Sequence, residues 1–151
     1  MKLLILGVGN PLKGDDGFGV AAVQELMREP LPEGVAAVDG GTAGLGLASL
    51  IEEGEAVLIL DAADMGKPAG TVREFAPHEV RSLASEGRLS LHEADVLGIL
   101  RMLTELGTCP AVSIIAVQPG RIGYGMGLSA EVQAALPVVL QRVREAMARL
   151  A

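Results

Sequence analysis

Aromatic side chains are almost absent from this chain: it has no tryptophan, one tyrosine and two phenylalanines among 151 residues. Half of the residues, 50%, are nevertheless hydrophobic. The core must therefore consist of Leu, Val, Ile, Ala and Met side chains, which is typical of buried parallel strands. A chain of this length buries a substantial core as one unit, so we predict a single domain over residues 1–151.

Cysteine and long hydrophobic runs are also scarce. Cys109 is the one cysteine, so the chain has no disulfide framework, and a cytoplasmic location is expected. No run of apolar residues approaches the length of a membrane span, and the short run after Met1 leads into glycines, unlike a signal peptide. We therefore expect no membrane partner. The oligomeric state is open at this stage, and a monomer is favoured.

Basic residues are outnumbered, with 12 Lys and Arg against 19 Asp and Glu and a net charge of −7. Nucleic acids and anionic membranes are bound through basic surfaces. The charge balance therefore argues against nucleic acid as a partner.

Strand and helix patterns alternate along the chain, which predicts a three-layer α/β/α domain with a mostly parallel sheet of about five strands. We expect strands at 2–7, 35–39, 56–61 and 111–117, and helices at 16–29, 43–53, 91–106 and 129–150. A further short strand at 71–75 follows too soon for a parallel crossover, so it should run antiparallel. Ser129 is expected to cap the last helix, and Pro137 to kink or divide it.

The first strand ends in a glycine turn that carries two acids, Asp15 and Asp16. In α/β sheets, ligands bind beyond the carboxyl ends of the strands. The turn is a poor nucleotide site, because Leu12 stands where a dinucleotide fingerprint requires its third glycine and Lys13 has no P-loop context. Acids at a helix start would also repel a phosphate group.

Polar residues follow the other predicted strands as well, and all of these loops should open on one edge of the sheet. They are Asp39-Gly40-Gly41-Thr42, Asp61 with Asp64, and Gln118-Pro119-Gly120. His92 lies at the start of a predicted helix that could face the same edge. One imidazole and two carboxylates suit a divalent transition metal with positions left open for substrate. The spacing of Asp16, Asp61 and His92 is by itself a weak signal for such a site.

Each candidate residue also has a structural interpretation. Asp15, more than Asp16, is expected to cap the first helix, and Asp39 to order its own Gly-Gly turn. For Asp61, a hydrogen bond to a loop amide is as good an interpretation as a functional role. For His92, a local hydrogen bond is an equally good alternative.

Other nucleophiles and bases are weaker candidates for chemistry. His78 should face solvent and Cys109 should be an inert small apolar residue. Ser113 lies inside a strand, and without a Gly-x-Ser-x-Gly elbow a serine hydrolase is disfavoured.

Four motifs together carry a family resemblance: GVGNPLKGDDGFG at 7–19, DGGTAG at 39–44, LDAAD at 60–64 and LSLHEADVL at 89–97. In this order and spacing they resemble the hydrogenase maturation endopeptidases, the proteases that trim the large subunit of nickel-iron hydrogenases. The strand–helix succession agrees, so the resemblance spans essentially the whole chain.

The resemblance implies that Asp16, Asp61 and His92 bind metal and that the Asp39-Gly40-Gly41-Thr42 turn lies near the substrate cleft. It implies a peptidase that cuts a short C-terminal peptide from the large-subunit precursor after nickel insertion, the nickel arriving with the substrate. Our hypothesis is that the metal orients the tail and polarises the scissile carbonyl or a water, with a carboxylate as general base.

Two other functions stay open on the residues alone. One is a small-molecule or nucleotide-binding α/β enzyme that uses the glycine turn. The other is a non-catalytic accessory protein that binds metal.

Overall fold

A computed structural model of the chain describes residues 2–41, 44–86, 90–91, 96–125 and 127–149. The strands are β1 (Leu3–Val8), β2 (Val35–Gly41), β3 (Ala56–Asp64), β4 (Val72–Phe75), β5 (Ser90–Leu91) and β6 (Ala111–Val117). The α-helices are α1 (Phe18–Leu26), α2 (Gly46–Glu52), α3 (Pro77–Glu86), α4 (Val96–Leu106) and α5 (Ala130–Arg149), and a short 3₁₀ helix at Gly14–Gly17 precedes α1.

The main sheet has the order β2-β1-β3-β6-β4, with the first four strands parallel. As predicted, β4 runs antiparallel, and its partner is β6. The two-residue β5 adds an antiparallel pair at the end of β3, where Leu91 lies opposite Ala63. The predicted α/β architecture with a mostly parallel five-stranded sheet is thereby confirmed.

Alternating side chains of the strands pack into two apolar layers. Leu4 and Leu6 of β1 belong to a cluster completed by residues of α2, α3 and α4. Leu3 and Ile5 point to the other side, where α1 and α5 cover the sheet. Successive side chains of a strand point to opposite faces of the sheet, so strands that are apolar throughout are buried on both faces. Helices cover both faces, which gives the predicted three layers.

The helices differ from what the sequence led us to expect at three places. α4 begins at Val96 rather than 91, because Leu91 pairs with β3 instead. α3 was not predicted, although Pro77 in its first position and the Glu79 carboxylate, which accepts from the Ala76 N–H at 3.0 Å, are helix-start signals. Pro137 does not divide α5: the proline is exposed, so water can satisfy the carbonyl that its missing N–H leaves free.

Asp15 does not cap a helix as expected; it joins the first loop to the segment after β6. Its Oδ2 accepts hydrogen bonds from the Gly120 N–H (2.8 Å), the Arg121 N–H (2.7 Å) and the Ser129 hydroxyl (2.7 Å). Its Oδ1 accepts from the Ser129 N–H at 2.6 Å. Ser129 stands directly before α5, so this fully buried carboxylate fixes the start of that helix to the first loop.

The pKa of Asp15 reflects these contacts. Burial alone would raise the pKa of this carboxyl group. The hydrogen bonds from Ser129, Arg121 and Gly120 outweigh burial and lower its pKa below the ordinary aspartate value. The ionised carboxylate is therefore part of the folded structure.

The start of α1 packs directly on the sheet backbone because Gly19 has no side chain. A Cβ at this position would overlap the backbone carbonyl oxygens of Leu60 and Val8. Gly7 of β1 faces the Gly19 carbonyl in the same way. Two glycines thus set the distance between α1 and the ends of β1 and β3.

We predict that Asp15→Asn lowers the free energy of unfolding by about 2–3 kcal/mol, because an amide group must then face N–H donors now bonded to a carboxylate. Folding lowers the pKa of Asp15, so the contribution of this carboxylate to the free energy of unfolding is complete above the pKa of an unfolded aspartate. That contribution is lost as the pH falls through the pKa that Asp15 has in the folded protein. Urea denaturation should therefore show a difference between wild type and variant that shrinks in acid.

Asp39→Asn is the matched control, since the same substitution there alters an exposed carboxylate of β2. Asp39→Asn should change the free energy of unfolding by no more than about 0.5 kcal/mol. Equal losses in the two variants would contradict a structural role for Asp15.

We predict that Gly19→Ala destabilises the fold by about 3 kcal/mol or more, because the methyl group can be accommodated only by moving α1 away from the sheet. Gly123→Ala serves as the control, since a Cβ there meets nothing within 4 Å. Thermal denaturation followed by circular dichroism measures both variants. An alanine tolerated equally well at the two positions would rule out the close packing.

Candidate active site

The carboxyl ends of the four parallel strands lie at one edge of the sheet, as predicted from their succession. β1 leads into the loop with Asp16, β2 ends in Asp39-Gly40-Gly41, and β3 carries Asp61 near its end. β6 ends at Val117, just before Gln118. The described loops with candidate residues therefore share this edge, which is where α/β proteins bind their ligands.

Asp16 is fully buried in the 3₁₀ helix that connects β1 to α1. Its Oδ2 accepts a hydrogen bond from the Asn10 N–H at 2.8 Å, across the turn. The Asp16 side chain is thus held by the backbone of Asn10 at the other end of the turn. The side chain of its neighbour Asp15 instead accepts hydrogen bonds from Gly120 and Ser129. The two adjacent acids have different surroundings and different partners.

Asp61 is fully buried in β3, next to the first loop. Its Oδ1 accepts from the N–H of Ala62 at 2.8 Å, while Oδ2 is enclosed and has no hydrogen-bond partner among the residues that the structure describes. Burial, followed by the nearby charge of Asp16, raises the pKa of Asp61 well above that of an ordinary aspartate. The two carboxylates therefore form an electrostatically coupled buried pair.

Gly9 makes this pair possible. Its φ is +125°, a conformation that favours glycine, and a Cβ there would overlap the backbone carbonyl of Asp16. The same Cβ would lie 3.5 Å from Asp61 Oδ1. The glycine turn thus brings the backbone of the Asp16 loop against the end of β3.

The end of β2 lies beside the glycine turn that follows β1. Asp39 pairs with Gly7 and Gly41 with Val8, and the Gly41 carbonyl accepts from the Gly9 N–H at 3.0 Å. Asp39 is exposed and Gly40 is buried. Asp39, Gly40 and Gly41 form the end of β2. That Asp39 orders its own Gly-Gly turn stays a prediction.

Two predicted site residues, Thr42 and His92, lie outside the described residues. Among the residues that are described, no group of three or more His, Cys, Asp or Glu side chains could hold a metal ion. The three-residue metal site therefore stays a prediction, of which the structure describes Asp16 and Asp61.

Gln118 is a buried polar residue whose role the sequence did not indicate. Its Oε1 accepts from the N–H groups of Met65 (2.6 Å) and Lys67 (3.3 Å), and its Nε2 donates to Asp64 Oδ1 (3.2 Å). One side chain thus holds the end of β3 and the loop that follows it. The only sequence signal was a polar residue directly after a buried strand.

The remaining expectations concern residues away from this edge. His78 is exposed, as predicted, and Cys109 packs half-buried against the core as a small apolar residue. Ser113 lies within β6, as expected. Within the described ranges, no helix has the length and apolar character that crossing a membrane requires.

Comparisons with known proteins agree with this architecture. The family model of the hydrogenase maturation proteases matches residues 20–146. The chain is 33% identical over 148 residues to the hydrogenase expression/formation protein HupD of Rhodobacter capsulatus, covering 95% of this chain and 70% of HupD. It is 33% identical over 150 residues to the hydrogenase 2 maturation protease of Escherichia coli, and the match covers 97% of this chain and 91% of that protease.

A solved structure has the same fold. The hydrogenase maturating endopeptidase HybD from E. coli matches with a TM-score of 0.84 and 28% identity, over 99% of this chain and 93% of HybD. With most of its length matched by the family model and by relatives of this similarity, the chain belongs to the hydrogenase maturation protease family and is a peptidase.

Proposed function

We propose that this peptidase removes a short C-terminal peptide from the nickel-loaded large-subunit precursor of a nickel-iron hydrogenase. The observation that carries the proposal is the buried pair of Asp16 and Asp61 at the carboxyl edge of the sheet. Two like charges buried side by side are costly unless a cation joins them. Family membership supports hydrogenase maturation as the process.

The donor set fits a divalent cation. Asp61 has a buried oxygen for which the described residues provide no hydrogen bond, and the charge of a cation beside it would counteract the effects of burial and of the Asp16 charge on its pKa. In this proposal His92 supplies the third ligand. Carboxylate and imidazole are acceptable nickel ligands, and a site without thiolates should hold the ion weakly by itself.

Weak binding suits an enzyme that tests its substrate. The nickel ion would come with the precursor, and cysteines of the precursor would share it with Asp16, Asp61 and His92. A tail then binds well only when nickel is present, so the difference in affinity selects the loaded precursor. Another divalent metal could take the place of nickel in the isolated protein.

Hydrolysis requires water to add to the scissile carbonyl and the C–N bond to break, leaving a carboxylate on the subunit and an amine on the released peptide. The bound ion would supply polarisation of that carbonyl or of the attacking water. One of the two carboxylates would act as general base, which makes the activity aspartic-type. The Asp39-Gly40-Gly41-Thr42 segment would lie along the tail, since β2 borders the first loop.

The setting proposed for this reaction is the cytoplasm, with the precursor as partner and a monomeric enzyme. A chain with one cysteine and a net charge of −7 is consistent with a cytoplasmic enzyme that does not bind nucleic acid or membranes.

We predict that Asp16→Ala, Asp61→Ala and His92→Ala each reduce cleavage of a nickel-loaded precursor by about 100-fold or more, because each removes a ligand of the shared ion. Loss of the tail is measured by intact-mass spectrometry. His78→Ala is the matched control, since it removes an exposed imidazole and should leave the rate unchanged. A nickel-free precursor should stay uncut.

Undiminished cleavage by all three variants would overturn the site. Failure of the wild-type chain to cut any such precursor, with binding retained, would favour an accessory protein instead of a processing enzyme.

We predict that Asp61→Asn raises the stability of the metal-free chain by roughly 1–3 kcal/mol at neutral pH while abolishing cleavage. The amide removes one of two buried like charges and still offers an oxygen to the Ala62 N–H. Because folding raises the pKa of Asp61, the wild type loses stability as pH rises above the pKa of an unfolded aspartate. The advantage of the variant should therefore disappear in acid.

Chemical denaturation of the metal-free proteins at neutral and acid pH measures this difference. Asp16→Asn should also relieve the repulsion, which provides a second variant for the same comparison. A large loss of stability in both variants at neutral pH would mean that the two carboxylates do not oppose folding.

A further inference from the structure

Several large apolar side chains on the carboxyl edge of the sheet are exposed to solvent. Tyr124 is 92% exposed, Leu12 57% and Ile122 38%. Together with the basic residues Lys13 and Arg121, these residues form what we call the Tyr124 surface. A monomeric protein seldom leaves such side chains grouped in water without a binding role.

The Tyr124 surface rests on two segments that are hydrogen-bonded to each other. The Gly14 N–H donates to the Gly125 carbonyl at 2.8 Å, and the Gly125 N–H donates to the Leu12 carbonyl at 2.9 Å. The Lys13 ammonium group lies 5.7 Å from the centre of the Tyr124 ring. The backbone under the surface is therefore held in place before any partner arrives, which lowers the entropy cost of binding.

The same segments lead directly to the candidate active site. The Lys13 carbonyl accepts from the Asp16 N–H at 3.2 Å, and the Asp15 N–H donates to the Arg121 carbonyl at 2.8 Å. The Tyr124 surface therefore borders the loop that carries Asp16, and a protein substrate bound at the carboxylates has this surface as a neighbour.

The form and charge of the surface indicate the kind of partner. A tyrosine ring that is 92% exposed lies in no pocket, so it suits a protein surface and not an enclosed small molecule. Lys13 and Arg121 are basic in a chain whose net charge is −7, which favours an acidic rim on the partner.

We propose that the Tyr124 surface docks the folded body of the large-subunit precursor, next to the point where its C-terminal tail begins. This inference rests on the proposed function. Leu12, Ile122 and Tyr124 would then recognise the folded precursor, whereas Asp16 and Asp61 would take part in cleaving the peptide bond.

The test compares substitutions on this surface with matched substitutions of other exposed apolar side chains. Tyr124→Ala and Leu12→Ser alter the surface, whereas Met27→Ser and Leu106→Ser alter side chains that are 57% and 67% exposed. These controls follow α1 and end α4, at the opposite edge where β2 and β6 begin. All four variants should keep the melting temperature of the wild type, because the side chains are exposed.

The substrate is a nickel-loaded large-subunit precursor that the wild-type chain cleaves. Tyr124→Ala should raise KM about tenfold with little change in kcat, since it removes binding that the ground and transition states share. Tyr124→Phe should keep most of the affinity, because the ring remains. The control variants should behave as wild type.

The possible failures are distinguishable. If wild type cleaves the precursor and Tyr124→Ala and Leu12→Ser have the KM of the controls, the docking inference is wrong and the proposed function stands. If wild type cleaves no nickel-loaded precursor, the proposed function is overturned and the inference falls with it. A loss of kcat at unchanged KM would also overturn docking, because it would place Tyr124 in the chemistry.

Discussion

The backbone contact between the first loop, α1 and the ends of β1 and β3 is the constraint on which the candidate site depends. Gly9 and Gly19 allow this contact, since a Cβ on either would overlap a carbonyl oxygen of a neighbouring segment. The contact brings a carboxylate from the first loop beside one from β3 and buries both. Glycine, often associated with phosphate binding at such turns, serves here to bring two acids together.

Asp15 and Asp16 illustrate how neighbouring residues acquire opposite roles. Asp15 accepts four hydrogen bonds from Gly120, Arg121 and Ser129, so its charge is well solvated by the protein. The Asp16–Asp61 pair is coupled by repulsion, and the pKa of Asp61 is raised. One acid thus stabilises the fold, while the other belongs to a pair that a cation would stabilise.

Much of the architecture could be predicted because strand and helix periods are local properties. The parallel strands, the antiparallel β4 and the shared carboxyl edge followed from runs of apolar residues and from connection lengths. Helix α3 escaped prediction because its signals, Pro77 and Glu79, are at its first turn and its composition is polar. The early start assigned to α4 was wrong because Leu91 is apolar at a helical spacing yet pairs with β3.

The sequence by itself determined that acids follow buried strands of an α/β domain and, through its motifs, which family the chain resembles. The motifs already assigned Asp16 and not Asp15 to the candidate site, but only the tertiary structure decided what Asp15 does, which is to join the first loop to the start of α5. The partners of Asp15 lie more than 100 residues away in the chain, and no local pattern predicts them. The tertiary structure also decided that Gln118 holds the loop after β3 and that the segment of Tyr124 pairs with the first loop, because both depend on contacts between distant segments.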